Sequence, residues 1–254
     1  MIELNNVSFQ YTKQAFMENL SLSFEEGKIT SIIGPNGSGK STLLMLMARI
    51  LQPQEGKISM CNKEISEYTL KQFAQQVAVV HQKNSVHQDV DVETIIGYGR
   101  LPYLHYYQQM REIDYEMIEW AMKVTGLTHL RKQTLKTLSG GQQQRVWIAM
   151  ALAQKTPILL LDEPTTYLDV KYQLEILNLI KKINIELKMT IIMVHHDIHQ
   201  AVQFSDQIVA MKEGSIYFSG YVNEVVSETS LKTLYGCNFE IMEREEGKVI
   251  LPTP

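Results

Sequence analysis

The sequence predicts an α/β fold with a mainly parallel sheet, an N-terminal antiparallel β subdomain and an inserted helical subdomain. Three observations predict it. Ile158 to Leu161 and Thr190 to Val194 are short unbroken apolar runs, the composition of parallel strands covered on both faces. Tyr172 to Glu186 between them is amphipathic, with Leu174, Leu177, Ile180 and Ile183 on one face, so strand, helix and strand imply a right-handed crossover. From about Asp91 to Gln154 strand signal is scarce, and Met110 to Val124 and Gly141 to Ala153 read as helices inserted between core strands.

The other elements follow in order. Ile2, Leu4, Val7 and Phe9 alternate loosely, and Leu20, Leu22 and Phe24 alternate strictly, as half-buried antiparallel strands do. Ile29 to Ile33 is a short apolar strand that runs into a Gly-rich loop, and Ser41 to Leu51 is helical in character. Val77 to Val80 is a further buried strand. Ile208 to Met211 and Ser215 to Phe218, joined by Lys212-Glu213-Gly214, read as a hairpin, and Glu240 to Glu246 with Gly247 as a charged turn or hairpin. There is no internal repeat or low-complexity tract.

Composition narrows the classes of function. The chain has 254 residues with 24 basic and 28 acidic side chains, a formal net charge of −4, and 44% hydrophobic residues. That length suits one large α/β domain or a core with one insertion. The charge gives no electrostatic footprint for nucleic acid. Cys61 and Cys237 lie far apart without metal spacing and read as free thiols. No basic, apolar leader opens the chain, and no run approaches the ~20 apolar residues that a spanning helix needs. A role at a membrane therefore implies a partner that sits in it.

Three motifs carry chemistry. Gly34-Pro35-Asn36-Gly37-Ser38-Gly39-Lys40-Ser41 completes the pattern G-x-x-x-x-G-K-S/T, with a strand before it and the Ser41 to Leu51 helix after it, and Thr42 is expected to bind the nucleotide with the loop. Its glycines let successive backbone N–H groups turn inward to phosphate oxygens, and the helix N-terminus adds positive potential. Lys40 is expected to reach the β- and γ-phosphates, and Ser41 to offer its hydroxyl to Mg²⁺. The core is thus of the P-loop NTPase type. Second, the buried run Ile158 to Leu161 ends in Asp162 and Glu163. Desolvated carboxylates there would destabilise the fold unless compensated. Asp162 is expected to hold the Mg²⁺ shell and Glu163 to act as general base towards water. Third, Leu138-Ser139-Gly140-Gly141-Gln142 sits at a helix start with Ser139 as N-cap, a second anion-binding helix tip, 23 residues before Asp162 (162 − 139).

That third motif, L-S-G-G-Q, is the signature of the ABC ATPase family, which the sequence resembles through nearly all of residues 1–225. The resemblance implies ATP and Mg²⁺ as ligands, with the Ser139 loop meeting the γ-phosphate of nucleotide held by a second subunit. It implies that Gln82, after the Val77–Val80 strand, touches Mg²⁺ and the attacking water. Thr166-Tyr167-Leu168-Asp169 resembles the D-loop, with Asp169 at a dimer interface and Thr166 where Ser is more usual. His196, directly before Asp197, resembles the switch histidine at the γ-phosphate, leaving His195 structural or exposed. Tyr11 resembles the aromatic residue that stacks on adenine.

The implied organisation is a single nucleotide-binding domain. Residues 1–87 and 156–225 form the catalytic core with its β subdomain, 88–155 a helical subdomain, and 226–254 an extension without a family motif. Val92 to Tyr103, with Gly99-Arg100 and Pro102, looks like the V-x-x-x-x-x-x-G-R-x-P pattern of ATPases that energise uptake of iron–siderophores, haem or cobalamin. The implied protein is an importer ATPase for iron–siderophore complexes, with haem or cobalamin as alternative cargoes, working as a homodimer at the cytoplasmic face of the cell membrane. Its partners would be polytopic permease subunits and, indirectly, an extracytoplasmic substrate-binding protein. A soluble ABC ATPase in iron–sulfur cluster assembly is the alternative from another class.

Overall fold

The apolar alternation Ile2, Leu4, Val7, Phe9 loses its beat after Leu4, and the backbone explains why. The computed structural model describes every residue except 12–15, 83, 85–88, 106–107, 245–246 and 254. In it, the register of the first strand with both neighbours shifts just after Leu4 and Asn5, and Asn6 takes a left-handed φ of 50°. A bulge of this kind returns Val7 and Phe9 to the buried face.

The chain folds as two units, Met1–Glu67 with Thr190–Pro254, and Tyr68–Met189. The first begins with β1 (Ile2–Phe9), β2 (Met17–Phe24), β3 (Ile29–Ile33), α1 (Lys40–Met47), β4 (Glu55–Met60) and β5 (Lys63–Glu64). The second contains α2 (Leu70–Ala74), β6 (Val77–Val80), α3 (Val92–Gly97), α4 (Glu112–Thr125), α5 (Gly140–Ala153), β7 (Ile158–Asp162) and α6 (Val170–Leu187). The first then resumes with β8 (Thr190–Val194), α7 (Ile198–Phe204), β9 (Gln207–Lys212), β10 (Ser215–Tyr221), α8 (Val222–Val225), α9 (Glu228–Tyr235), β11 (Asn238–Arg244) and β12 (Gly247–Thr253).

In the first unit, β2, β1, β4 and β5 form an antiparallel sheet, with Ile2 level with Phe24 on one side and Met60 on the other. β3 lies between β8 and β9 and runs parallel to both, Ile32 facing Val194 and Val209. All five residues of β3 and of β8 are buried, which is why both read as unbroken apolar runs. β10 adds the expected antiparallel hairpin to β9. α1 is shorter than the predicted Ser41 to Leu51. It ends where Arg49 turns left-handed, with Arg49 N donating to Leu46 O and Ile50 N to Met45 O, the two bonds of a Schellman stop.

The extension beyond residue 225 is structured. Val226, Leu231, Leu234 and Ile250 share one buried cluster with Ile33, Ala201, Val202, Ile208 and Ala210. They therefore support the end of β3, immediately before the Gly-rich loop. The charged C-terminal hairpin is the antiparallel pair β11–β12; residues 245–246 of its turn lie outside the described residues.

In the second unit, described residues from 88 to 155 contain helical elements and a single isolated bridge, Asp91 to Thr134. β6 and β7 pair in parallel, Val77 level with Ile158. One helix face differs from expectation. α6 buries Ile176, Leu177, Ile180, Ile183 and Asn184, whereas Leu174 is 41% exposed. At 100° per residue Leu174 projects about 120° from the centre of that stripe. Ile176 belongs on the buried face instead.

Candidate phosphate-binding and hydrolytic site

The first unit carries the Gly-rich loop. β3 delivers the chain to Gly34, whose φ is 146° and whose Cβ, if it had one, would stand 2.1 Å from Met211 O. Only glycine fits there. Gly39, at φ 105°, caps α1 without a side chain, so the loop bends directly into the helix. Lys40 is buried and donates from Nζ to Gly34 O and Pro35 O, each at 2.9 Å. Its ammonium thus lies back across the loop it follows. Ser38 Oγ is buried and completes no hydrogen bond among the described residues. Ser41 is half-buried at the second position of α1. Thr42, buried, shares a 2.9 Å hydrogen bond with Tyr11 OH. The Tyr11 ring is 60% exposed and meets Phe9 edge-on at 4.8 Å. An exposed aromatic face is therefore anchored beside the start of α1, a pairing that sequence alone did not join.

The two adjacent histidines separate cleanly. His195 is 1% exposed, its Nε2 is 3.2 Å from Met193 Sδ, and burial pushes its pKa down to about 4. It is a neutral core residue. His196 is exposed at the end of β8. Asp197 caps α7, its Oδ1 accepting from His199 N at 2.8 Å and Gln200 N at 3.1 Å, which fixes the bend that turns His196 outward.

The second unit carries the carboxylates. Asp162 ends β7, buried, and Glu163 follows in a left-handed conformation at φ 51°. A non-glycine residue there is strained by roughly 1 kcal/mol or more, and such strain concentrates at working sites. Gln82 Nε2 donates to Glu163 Oε2, and Thr166 Oγ1 donates to the same oxygen at 3.1 Å. Gln82 and Glu163, 81 residues apart, are thus brought together. The Thr166 contact is new; its signal was the three-residue spacing from Glu163 within a turn.

The Ser139 loop opens α5 with a reciprocal cap. Gln142 N donates to Ser139 Oγ at 3.4 Å, and Ser139 N donates to Gln142 Oε1 at 3.0 Å. The Gln142 side chain is therefore used within its own helix. Ser139 and Gly140 are exposed, while Gly141 is buried against Tyr172, where a Cβ would meet the ring at 2.8 Å. Asp169 is the exposed residue preceding α6 and brings no side-chain cap to it.

The Gly99-Arg100 pair has a packing role. A Cβ on Gly99 would lie 2.1 Å from Met150 O, so α5 and the 98–103 turn meet backbone to backbone. Arg100 is buried, donates from Nη1 to Ala153 O at 2.7 Å, and lies 4.0 Å from the Tyr103 ring centre.

The chain is similar to known proteins. The family profile described as ABC transporter matches residues 17–166. The petrobactin import ATP-binding protein FpuC of Bacillus anthracis is 40% identical over 252 residues, 99% of this chain and 93% of that protein. The ferric enterobactin transport ATP-binding protein FepC of Escherichia coli K12 is 39% identical over 233 residues, 92% of this chain and 86% of that one. Among solved structures, the dimeric post-hydrolysis state of the ATP-binding cassette MJ0796, bound to ADP and Pi, superposes with a TM-score of 0.73. It is 31% identical and covers 87% of this chain and 99% of that one.

Proposed function

The chain belongs to the ABC transporter family, and from that premise we propose that it binds and hydrolyses ATP to drive uptake of ferric siderophores. The observation that carries the enzymatic reading is the Lys40 loop together with a strained glutamate at the end of a buried strand. The cargo rests on the relatives, whose names specify petrobactin and ferric enterobactin.

The residues act as follows. Backbone amides of 34–41 and the Lys40 ammonium take the triphosphate, with Tyr11 offering its exposed face to the base. Ser139 and the helix tip of α5 meet the γ-phosphate of nucleotide on a second copy, which pairs head to tail. Glu163 accepts a proton from water as the water oxygen bonds to γ-phosphorus and the β–γ bridging bond breaks, leaving ADP with the electron pair. His196 contacts the γ-phosphate, and Asp169 lies at the seam between copies.

The residues present fit Mg²⁺. Each ligand the family resemblance implies, the Ser41 hydroxyl, the Gln82 amide and the Asp162 carboxylate, offers an oxygen suited to a hard cation and would help to hold it. Gln82 spends its nitrogen on Glu163, which leaves its amide oxygen free to serve as a ligand. When bound, the ion neutralises phosphate charge. Among the described residues no helix is long and apolar enough to cross a membrane. In this reading the chain works with permease subunits, attached peripherally at the cytoplasmic face, with a binding protein beyond them.

Two measurements test this. Phosphate release from ATP by the purified chain should fall at least 100-fold in Glu163→Gln while ATP binding persists; undiminished turnover would remove Glu163 as base. Cells lacking this protein should fail to grow on a single ferric siderophore and recover with free iron; equal growth on both would remove the cargo.

A further inference from the structure

Oε2 of Glu163 accepts two hydrogen bonds within its own unit, from Gln82 Nε2 and from Thr166 Oγ1. The two donors differ in how they arrive. Gln82 comes from the segment after β6, 81 residues away. Thr166 arrives locally, because its own N–H donates to Glu163 O at 3.3 Å and closes a turn around the left-handed glutamate. The Thr166 contact is therefore present whenever that turn is, whereas the Gln82 contact depends on a distant segment. The same turn brings the Thr166 hydroxyl to the carboxylate. A glutamate at a strand end has three side-chain torsions to fix, and aim is what a general base needs most.

We propose that Thr166 is a positioning residue for hydrolysis, its hydroxyl holding the Glu163 carboxylate in the orientation from which it takes the proton of the attacking water. This rests on Glu163 being the general base. Thr166 is half-buried, so its replacement leaves the surrounding core intact. The methyl group has no part in the role; the hydroxyl has all of it.

The test is steady-state ATP hydrolysis by the full-length chain carrying Thr166→Val, Thr166→Ala, Thr166→Ser or Glu163→Gln, with thermal melting of each. Valine keeps the shape without the hydroxyl, and serine keeps the hydroxyl without the methyl. The expected result is a fall in kcat of about 10-fold for valine and alanine, KM for ATP within about twofold, and serine within about twofold of the parent. Full kcat in Thr166→Val, a loss in KM alone, or a loss in serine equal to that in valine would overturn the role. If Glu163→Gln is inactive while Thr166→Val is fully active, only the Thr166 role fails. If Glu163→Gln hydrolyses at the parent rate, the general-base reading fails with it.

Discussion

Arg100 Nε donates to Asp114 Oδ1 at 3.0 Å, and both side chains are buried, Asp114 completely. Burial alone would raise the Asp114 pKa, but the Arg111 amide and the Arg100 and Arg111 side chains together hold it below the usual carboxylate range. The pair ties α4 to the turn at 98–103, and the second Arg100 bond, to Ala153 O, ties that turn to the end of α5. The helix that presents Ser139 at one end is thus pinned at the other by the Gly99-Arg100 pair.

Removing one partner leaves the other charge buried and alone. Asp114→Ala should lower the unfolding free energy by about 3–5 kcal/mol in urea titration. Arg100→Lys should be nearly as harmful, because an ammonium cannot reproduce the fork to Asp114 and Ala153 O. Since the folded pKa of Asp114 is depressed, its contribution is present above the ordinary carboxylate pKa and is lost as pH falls through the folded value. An Asp114→Ala protein of parental stability at pH 7 would refute the pinning role.

His195 predicts a second acid-sensitive contribution. Its pKa falls from an ordinary 6.5 to about 4 on folding because burial disfavours the cation. The unfolded chain therefore binds its proton first. Stability from the neutral ring is complete above pH 6.5 and is lost between pH 6.5 and 4, by ~3 kcal/mol. His195→Gln should show a shallower decline over that window in denaturant titrations at pH 7 and 4. Parallel declines in the two proteins would contradict the assignment.

Among the described residues Tyr235 OH is buried and completes no hydrogen bond, with the Gly34 backbone beside it, and burial pushes its pKa up to about 12. An orphaned hydroxyl destabilises the fold, so Tyr235→Phe should melt at or above the parental temperature, a gain of up to ~1 kcal/mol. Leu234→Ala, in the same cluster, should lose about 2–5 kcal/mol. A clear loss in Tyr235→Phe would show that the hydroxyl is satisfied in solution.

Ser139 serves a second copy in the proposed mechanism. Ser139→Arg should abolish hydrolysis and spare ATP binding by the single chain, whereas Lys40→Ala should weaken ATP binding at least 10-fold. Fluorescent-nucleotide titration and phosphate release separate the two. Retained hydrolysis in Ser139→Arg would argue against a site shared between copies.

What could be read in the sequence was local. The strand entering Gly34, the helix after it and the Ser139 cap announce themselves because period, turn chemistry and capping act over a few residues. The orientation of α6 did not, because Leu174 and Ile176 are both apolar and only packing chooses between them. The Arg100–Asp114 pair was equally hidden, since nothing in a 14-residue separation says which carboxylate a buried guanidinium will meet. The core joining Leu231, Leu234 and Ile250 to Ile33 spans most of the chain, and no short-range pattern encodes it. Thr166 lay between these cases, at a legible spacing whose partner became visible only through the left-handed turn at Glu163.

The most direct measurement is a crystal structure of the Glu163→Gln chain grown with ATP and Mg²⁺. Residues 34–41 should wrap the phosphates with Lys40 upon them, and Ser139 of a second copy should stand at the γ-phosphate. Nucleotide bound away from Lys40, or bound there with no second copy closing over it, would contradict that arrangement.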